Sequence, residues 1–338
     1  MVSVKDIAKE CGVSVATVSK ALNGHSDISQ ATKEKVRAAA QRLGYMPNSA
    51  ARALKTNRTY NLGVLFVDEA QSGLTHEFFA AVLDSFKRSA EGSGYDITFI
   101  NHNIGRGRSS YLEHCRYRGV DGVIAACVQF DDPEVVELAH SSLPLVTIDH
   151  VFNNRSAVMS DNVEGVSRIV DHLCAQGHEK IAFIHGEAHS AVTQKRLASF
   201  YRACEAHGIS TPDEYIVSAT YRDVKGCAEA TRKLLHLADR PTAILFPDDF
   251  SAMGGIKTVR EEGLLIPRDI SLVGYDGSLV SQAVSPKLTT YRQNVEAMGR
   301  AAAELLIGQI ESPRTALPEQ RLIQGELLPG ESVAEPFS

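Results

Sequence analysis

Apolar residues recur with two different periods along this chain, and the change falls near residue 60. From 61 onward, short continuous apolar runs rich in β-branched residues alternate with longer stretches of helical spacing. The runs are LGVLFV, YDITFI, DGVIAAC, PLVTID, KIAFIHG, TAILFP and DISLVGYD. Such runs are the mark of strands buried on both faces. The intervening segments 77–91, 108–117, 162–176, 192–207, 223–237 and 250–262 read as helices. Strand–helix alternation predicts parallel sheets with helices on both sides. The strands are too many for one ordinary sheet, so two doubly wound lobes are expected, the second beginning near Asn162.

Before residue 60 the period is helical throughout. Ser3 with Asp6 forms a capping-box-like start, and Val4, Ile7, Ala8 and Cys11 share a face. Gly12-Val13 breaks that helix. Ser14 caps VATVSKAL, where Val15, Val18 and Leu22 are spaced at three and four. Asn23-Gly24 stops it, and Ser29 caps a third helix in which Val36, Ala39, Ala40 and Leu43 close a small core. Three short helices joined by a tight glycine turn predict a helix-turn-helix module, whose second helix enters the DNA major groove.

Charge sharpens this picture. Residues 1–60 hold ten Lys/Arg against four Asp/Glu, while the rest holds 25 against 37. A basic head on an acidic body points to a polyanionic partner for the head. On the second helix, Lys20 can donate to guanine O6 or N7, and Val15 and Ala16 can touch a thymine methyl. Ser14, Thr17, Ser19 and Asn23 can donate to phosphates. Six scattered cysteines without a CxxC pair read as reduced thiols, with no metal or disulfide. The sequence shows no run of ~18 apolar residues and no secretory signal, so a cytoplasmic chain without membrane contact is expected.

In open α/β sheets, ligands sit beyond the carboxyl ends of strands. Asp149 ends PLVTID, Asp248 and Asp249 follow TAILFP, Asp276 ends SLVGYD, and Arg196 lies early in the helix after KIAFIHG. Carboxylates accept from vicinal hydroxyls and a guanidinium donates in a fork, a set suited to a polyhydroxyl ligand. A single strand-end Asp serves as often as a turn or cap. No nucleophile elbow, metal triad or phosphate loop accompanies these groups, so neither enzymatic activity nor a cofactor is expected.

The motifs VSxATVSxALN and LGYxPNxxARxL, in an ungapped match over 1–66, resemble the head of the LacI/GalR family of bacterial transcriptional regulators. The resemblance implies domains at 1–47 (helix-turn-helix), 48–60 (hinge helix and linker) and 61–338 (effector-binding and dimerisation body). The body would have a periplasmic-binding-protein-like fold. Its first lobe is expected over about 61–161 and 293–320, its second over about 162–292 and 321–338. Asn48 would cap the hinge helix, Ala51 would pack it against a partner copy, Leu54 would wedge between base steps in the minor groove, and Arg52 and Lys55 would meet phosphates. Many relatives carry arginine where Lys20 stands. The resemblance supports Asp149, Arg196, Asp248, Asp249 and Asp276 as effector contacts and adds Tyr221 and His76. Asp248 stands in place of a usual Asn.

The expectation is a dimeric repressor on a pseudo-palindromic DNA operator, controlled by a small effector, a sugar or sugar derivative. Two rivals remain: control by a phosphorylated carrier protein, and a sugar-binding transport receptor. The receptor would need a secretion signal and no basic head.

Overall fold

In the computed structural model, the described residues are 2–22, 24–46, 58–67 and 73–336. They fall into two compact units, Met1–Thr59 and Tyr60–Ser338. The head contains α1 (Val4–Cys11), α2 (Val15–Leu22) and α3 (Gln30–Leu43). Its boundaries are set by local chemistry. Asp6 accepts from the Ser3 amide at 2.8 Å, Ser14 Oγ from the Thr17 amide at 3.0 Å, and Ser29 Oγ from the Thr32 amide at 3.3 Å. Gly12 and Gly44 end α1 and α3 at φ 63° and 67°, a left-handed conformation that glycine adopts at little cost. Ile7, Ala8, Cys11, Val18, Ala21, Val36, Ala39 and Ala40 form the core. Val15, singled out as a candidate base contact, is 45% exposed, and Val18 and Ala21 take the inward places. Helical periodicity offered both faces, and contact with α1 and α3 decided between them.

The body holds two six-stranded sheets. The first is ordered β13-β7-β6-β5-β1-β2. It comprises β1 (Asn61–Phe66), β2 (Asp96–Ile100), β5 (Gly122–Ala126), β6 (Leu145–Ile148), β7 (Ser156–Ser160) and β13 (Gln320–Ile323). All its neighbours pair in parallel. The second is ordered β14-β12-β11-β10-β8-β9. It comprises β8 (Ile181–His185), β9 (Ile216–Ser218), β10 (Ala243–Leu245), β11 (Ser271–Asp276), β12 (Thr289–Arg292) and β14 (Glu326–Leu328), with β14 antiparallel at the edge. A two-stranded ribbon of β3 (Asn103–Ile104) and β4 (Gly107–Arg108) stands apart.

Helices α4 (Glu77–Gly92), α5 (Tyr111–Arg118), α6 (Pro133–His140) and α12 (Val295–Glu311) belong to the first lobe. The second lobe has α7 (Asn162–Ala175), α8 (Ala191–Ala206), α9 (Val224–Leu235), α10 (Asp249–Glu261) and the short α11 (Leu279–Ala283). Among the elements that escaped the sequence pattern are α6, α11, β7, β9 and the β3–β4 ribbon. The helix expected from 108 begins at Tyr111, because Arg108 closes the ribbon. The expected lobe boundary at 320/321 also shifts. Gln320–Ile323 pairs in parallel with β7, so the chain crosses to the second lobe at 324–325.

Among the described residues the chain passes between lobes three times, at 161, 293–294 and 324–325, and these crossings are laced together. The Asp161 amide donates to Ile323 O at 2.9 Å, and the Gly325 amide to Tyr291 Oη at 2.9 Å. A Cβ on Gly325 would lie 2.2 Å from Arg292 O, so a larger residue would push the crossings apart.

In the first lobe, α4 and α12 approach closely at Gly299, where an added Cβ would lie 2.3 Å from Val82 O. Gly299→Ala should therefore destabilise by about 1–3 kcal/mol through overpacking. Gly308→Ala, in open space on the same helix, should stabilise by about 0.5–1 kcal/mol. Urea unfolding midpoints decide it, and equal shifts for the two variants would contradict the close approach.

Candidate functional site

Within the body, four of the residues singled out from sequence converge where strand ends of the two sheets meet. Arg196, on α8, is 4% exposed. Its Nε donates to Asn162 Oδ1 and its Nη1 to Pro247 O, both at 2.7 Å. Its guanidinium lies 3.5 Å from the centroid of the Tyr275 ring and 5.8 Å from that of Tyr221, a cation–π arrangement favoured away from water. Burial by itself would weaken the charged form, but Tyr221, Tyr275, Asp276 and Asp149 outweigh it and raise the pKa. Tyr221 follows β9 and lies against Gly186, where a Cβ would come 2.2 Å from its ring. Its hydroxyl shares a 2.9 Å hydrogen bond with Thr193 Oγ1.

Asp149 follows β6 of the first lobe and Asp276 ends β11 of the second. Both have positive φ, 57° and 107°, conformations that cost energy in a non-glycine residue and cluster at functional sites. Asp149 Oδ1 accepts from the Ser160 amide at 2.8 Å, and Asp276 Oδ1 from Gln293 Nε2 at 2.7 Å. Burial pushes the Asp149 carboxyl up to about 6, opposed by the Ser160 amide and the charges of Arg196 and Lys195. Burial also raises Asp276 well above the usual range, opposed by Arg196 and reinforced by Asp248 and Asp249. Each carboxyl keeps a second oxygen, and Arg196 an Nη2, outside these bonds.

The other expected contacts are engaged in bonds within the protein. Asp248 caps α10: its Oδ1 accepts from the Ser251 amide at 2.7 Å, and its Oδ2 from Ser251 Oγ and the Arg222 amide, both at 2.8 Å. Asp249 is fully buried, accepting from Thr290 Oγ1 at 2.6 Å and the Ser278 amide at 2.7 Å. Burial pushes it up to about 7 against those two bonds. Both acids tie the start of α10 into the second lobe. His76 caps α4 and packs edge-on to Phe79 at 4.8 Å. Beside it, Glu77 Oε1 accepts from the Leu279 amide of the opposite lobe at 2.7 Å. Asn162, Tyr275 and Gln293 were missed. The GYD run and the helix start at 162 were visible, but their link to Arg196 is tertiary.

In the head, Val15 and Ala16 are exposed on α2, and Thr17 and Ser19 half-exposed. Ser14 is engaged as the α2 cap, so it holds the helix whether or not it meets a phosphate. Lys20 Nζ pairs with Asp27 Oδ2 at 2.5 Å. Asn23, Asn48, Ala51, Arg52, Leu54 and Lys55 lie outside the described residues.

Comparison with known proteins now decides the family. Residues 3–48 match the model for bacterial regulatory proteins of the lacI family, and 170–333 match a periplasmic binding protein-like domain. The HTH-type transcriptional repressor PurR of Photobacterium profundum is 32% identical over 318 residues, covering 92% of each chain. PurR of Escherichia coli O139:H28 is 30% identical and covers 100% of this chain and 98% of its own. The lac repressor dimer bound to operator and the anti-inducer ONPF superposes with a TM-score of 0.79 at 25% identity, covering 98% of this chain and 99% of its own. The CelR–cellobiose complex gives 0.71 at 26% identity, covering 98% and 100%.

The chain belongs to the LacI family.

It is a DNA-binding transcriptional repressor controlled by a small effector, and not an enzyme. Among the described residues, no helix of this LacI-family repressor is long and apolar enough to cross a membrane.

The raised carboxyls give the repressor a distinctive pH dependence. Asp149 and Asp249 hold protons in the folded state to higher pH than in the unfolded chain. Their contribution to stability therefore falls as pH rises from about 4, through about 6 for Asp149 and about 7 for Asp249, and is flat above. Asp249→Asn should flatten the decline in Tm between about pH 5 and about pH 8. Thermal melts across that range measure it, and an unchanged slope would show that Asp249 is not protonated there.

Proposed function

We propose that the effector is a sugar or sugar derivative bound between the lobes by Arg196, Asp149, Asp276 and Tyr221. The observation that carries this is the buried Arg196 guanidinium, clamped over Tyr275 with two carboxyls near it, one from each lobe. Asp149 and Asp276 each offer an oxygen to ligand hydroxyls, and Arg196 Nη2 a donor in the same region. Tyr221 supplies an apolar face for a ring. Among the structural neighbours, CelR is in complex with cellobiose and an Enterococcus faecium regulator holds bound ribose, which favours this ligand class.

The repressor works as a homodimer in the cytoplasm on a pseudo-palindromic operator, its two heads reading half-sites through α2. The hinge role of residues 48–55 rests on sequence resemblance alone. In this reading the effector sets the angle between the lobes, and the linker carries that angle to the heads. By linkage, operator DNA changes effector affinity by the same factor.

Calorimetric titration with monosaccharides, disaccharides and nucleobases tests the ligand class. A sugar should bind, and Arg196→Lys or Asp276→Asn should weaken it at least about tenfold, the scale of a lost charge-assisted hydrogen bond. DNA binding by both variants should persist. A response to nucleobases with none to sugars would overturn the proposal. Leu54→Ala should weaken specific duplex binding far more than nonspecific binding, and equal losses in a filter-binding assay would remove the wedge role.

A further inference from the structure

Beyond the head's core, one polar pair is built with unusual definition. After α2 the chain folds back on itself. The Gly24 amide donates to Ala21 O at 3.2 Å, the His25 amide to Lys20 O at 3.0 Å, and the Ile28 amide to His25 O at 3.4 Å. Ile28 packs against the head's core, and Lys33 Nζ donates to Gly24 O at 3.1 Å. The turn is thus held by α2, by α3 and by apolar contact. It brings Asp27 beside Lys20, Nζ to Oδ2 at 2.5 Å, with the two side chains 53% and 48% exposed.

An exposed ion pair adds about 0–1 kcal/mol to stability, so the fold gives little reason for this arrangement. A carboxylate on a DNA-facing surface would by itself repel phosphates. The pair makes better sense as a recognition element. A lysine ammonium has three donors, and one on Asp27 leaves two. The carboxylate accepts only, and, being 53% exposed, it can take a further donor beside Lys20. Side by side they present two donors and an acceptor. In the major groove a guanine–cytosine pair shows N7 and O6 as acceptors followed by the N4 amino donor of cytosine. An adenine–thymine pair shows acceptor, donor, acceptor and methyl instead.

We propose that Lys20 and Asp27 read one guanine–cytosine pair in each half-site as a unit, Lys20 donating to guanine and Asp27 accepting from cytosine N4. Asp27 is then a specificity-determining residue. The inference rests on the reading of α2 as the DNA-facing helix. It goes further by assigning a base-reading role outside that helix, to an acidic residue.

The test uses the full-length repressor and selection from randomised double-stranded DNA, followed by affinity measurements on the selected duplex and its single-pair variants. The wild type should fix one guanine–cytosine pair per half-site. Asp27→Ala should keep every other position of the selected sequence. Its preference for that pair over adenine–thymine should fall about 5- to 100-fold, the discrimination carried by one good base contact. Asp27→Glu should recover part of the preference. Lys20→Ala should relax the same position. Circular dichroism melting of Asp27→Ala should match the wild type, since the pair contributes little to the fold. If Lys20→Ala relaxes the position and Asp27→Ala leaves it intact, Asp27 is a surface partner and the proposal is wrong. If neither variant changes any position, the assignment of α2 as the reading helix fails as well.

Discussion

Taking a guanidinium out of water costs several kcal/mol unless its donors and charge are answered in place, and much of the interlobe region is arranged to answer Arg196. Its two engaged donors reach Asn162 Oδ1 and Pro247 O, and its face rests on Tyr275. Asn162 opens α7 directly after the first crossing between lobes. Pro247 follows β10, and Tyr275 is the penultimate residue of β11. One side chain therefore ties together a crossing, a helix start and two strand ends. Removing it would leave the Pro247 carbonyl without its side-chain partner, at a cost of about 1–3 kcal/mol, and Asn162 Oδ1 with only the 3.5 Å contact from Tyr275 Oη. The same residue is suited to ligand binding because its geometry is already fixed before a ligand arrives.

The two sheets explain why the site falls where it does. In the first, β2 is added on one side of β1 and β5, β6 and β7 on the other. In the second, β8 neighbours both β9 and β10. These reversals open a crevice at the carboxyl ends. Loops of both lobes empty into that crevice, so residues far apart in sequence meet there. The laced crossings hold the lobes in register, and Glu77 bonding the Leu279 amide spans the gap at a second point. Motion of one lobe against the other has to act on these few contacts.

Much of this was legible in the sequence, for physical reasons that can be named. Parallel strands covered on both faces must be apolar along their whole length, so runs such as DGVIAAC and KIAFIHG announced themselves. β7 did not, because Ser156–Ser160 is buried with serine at both ends, and the polarity of Ser156 is satisfied by tertiary partners. Gln309 Nε2 and the Glu319 amide both donate to Ser156 Oγ. Strand-end position pointed to Asp149 and Asp276, whose charges act on the guanidinium, but gave the same signal for Asp248 and Asp249. What separates them is where the strand stops: at the start of α10 the carboxyls are consumed by Ser251, Arg222, Thr290 and Ser278. No local pattern encodes that.

If the effector binds as proposed, the distribution of charge between the lobes links binding to control. Asp149 belongs to the first lobe, while Arg196 and Asp276 belong to the second. Were all three on one lobe, a ligand could saturate them at any lobe angle and would shift no equilibrium, however tightly it bound. Because they are divided, a ligand engaging all three distinguishes one angle from another, and its differential affinity is the free energy available to move the heads. Burial raises the carboxyls on both sides above their ordinary pKa, and the Arg196 guanidinium opposes that shift on each. The buried guanidinium thus answers an acid from each lobe, leaving the ligand's own contacts to choose the angle.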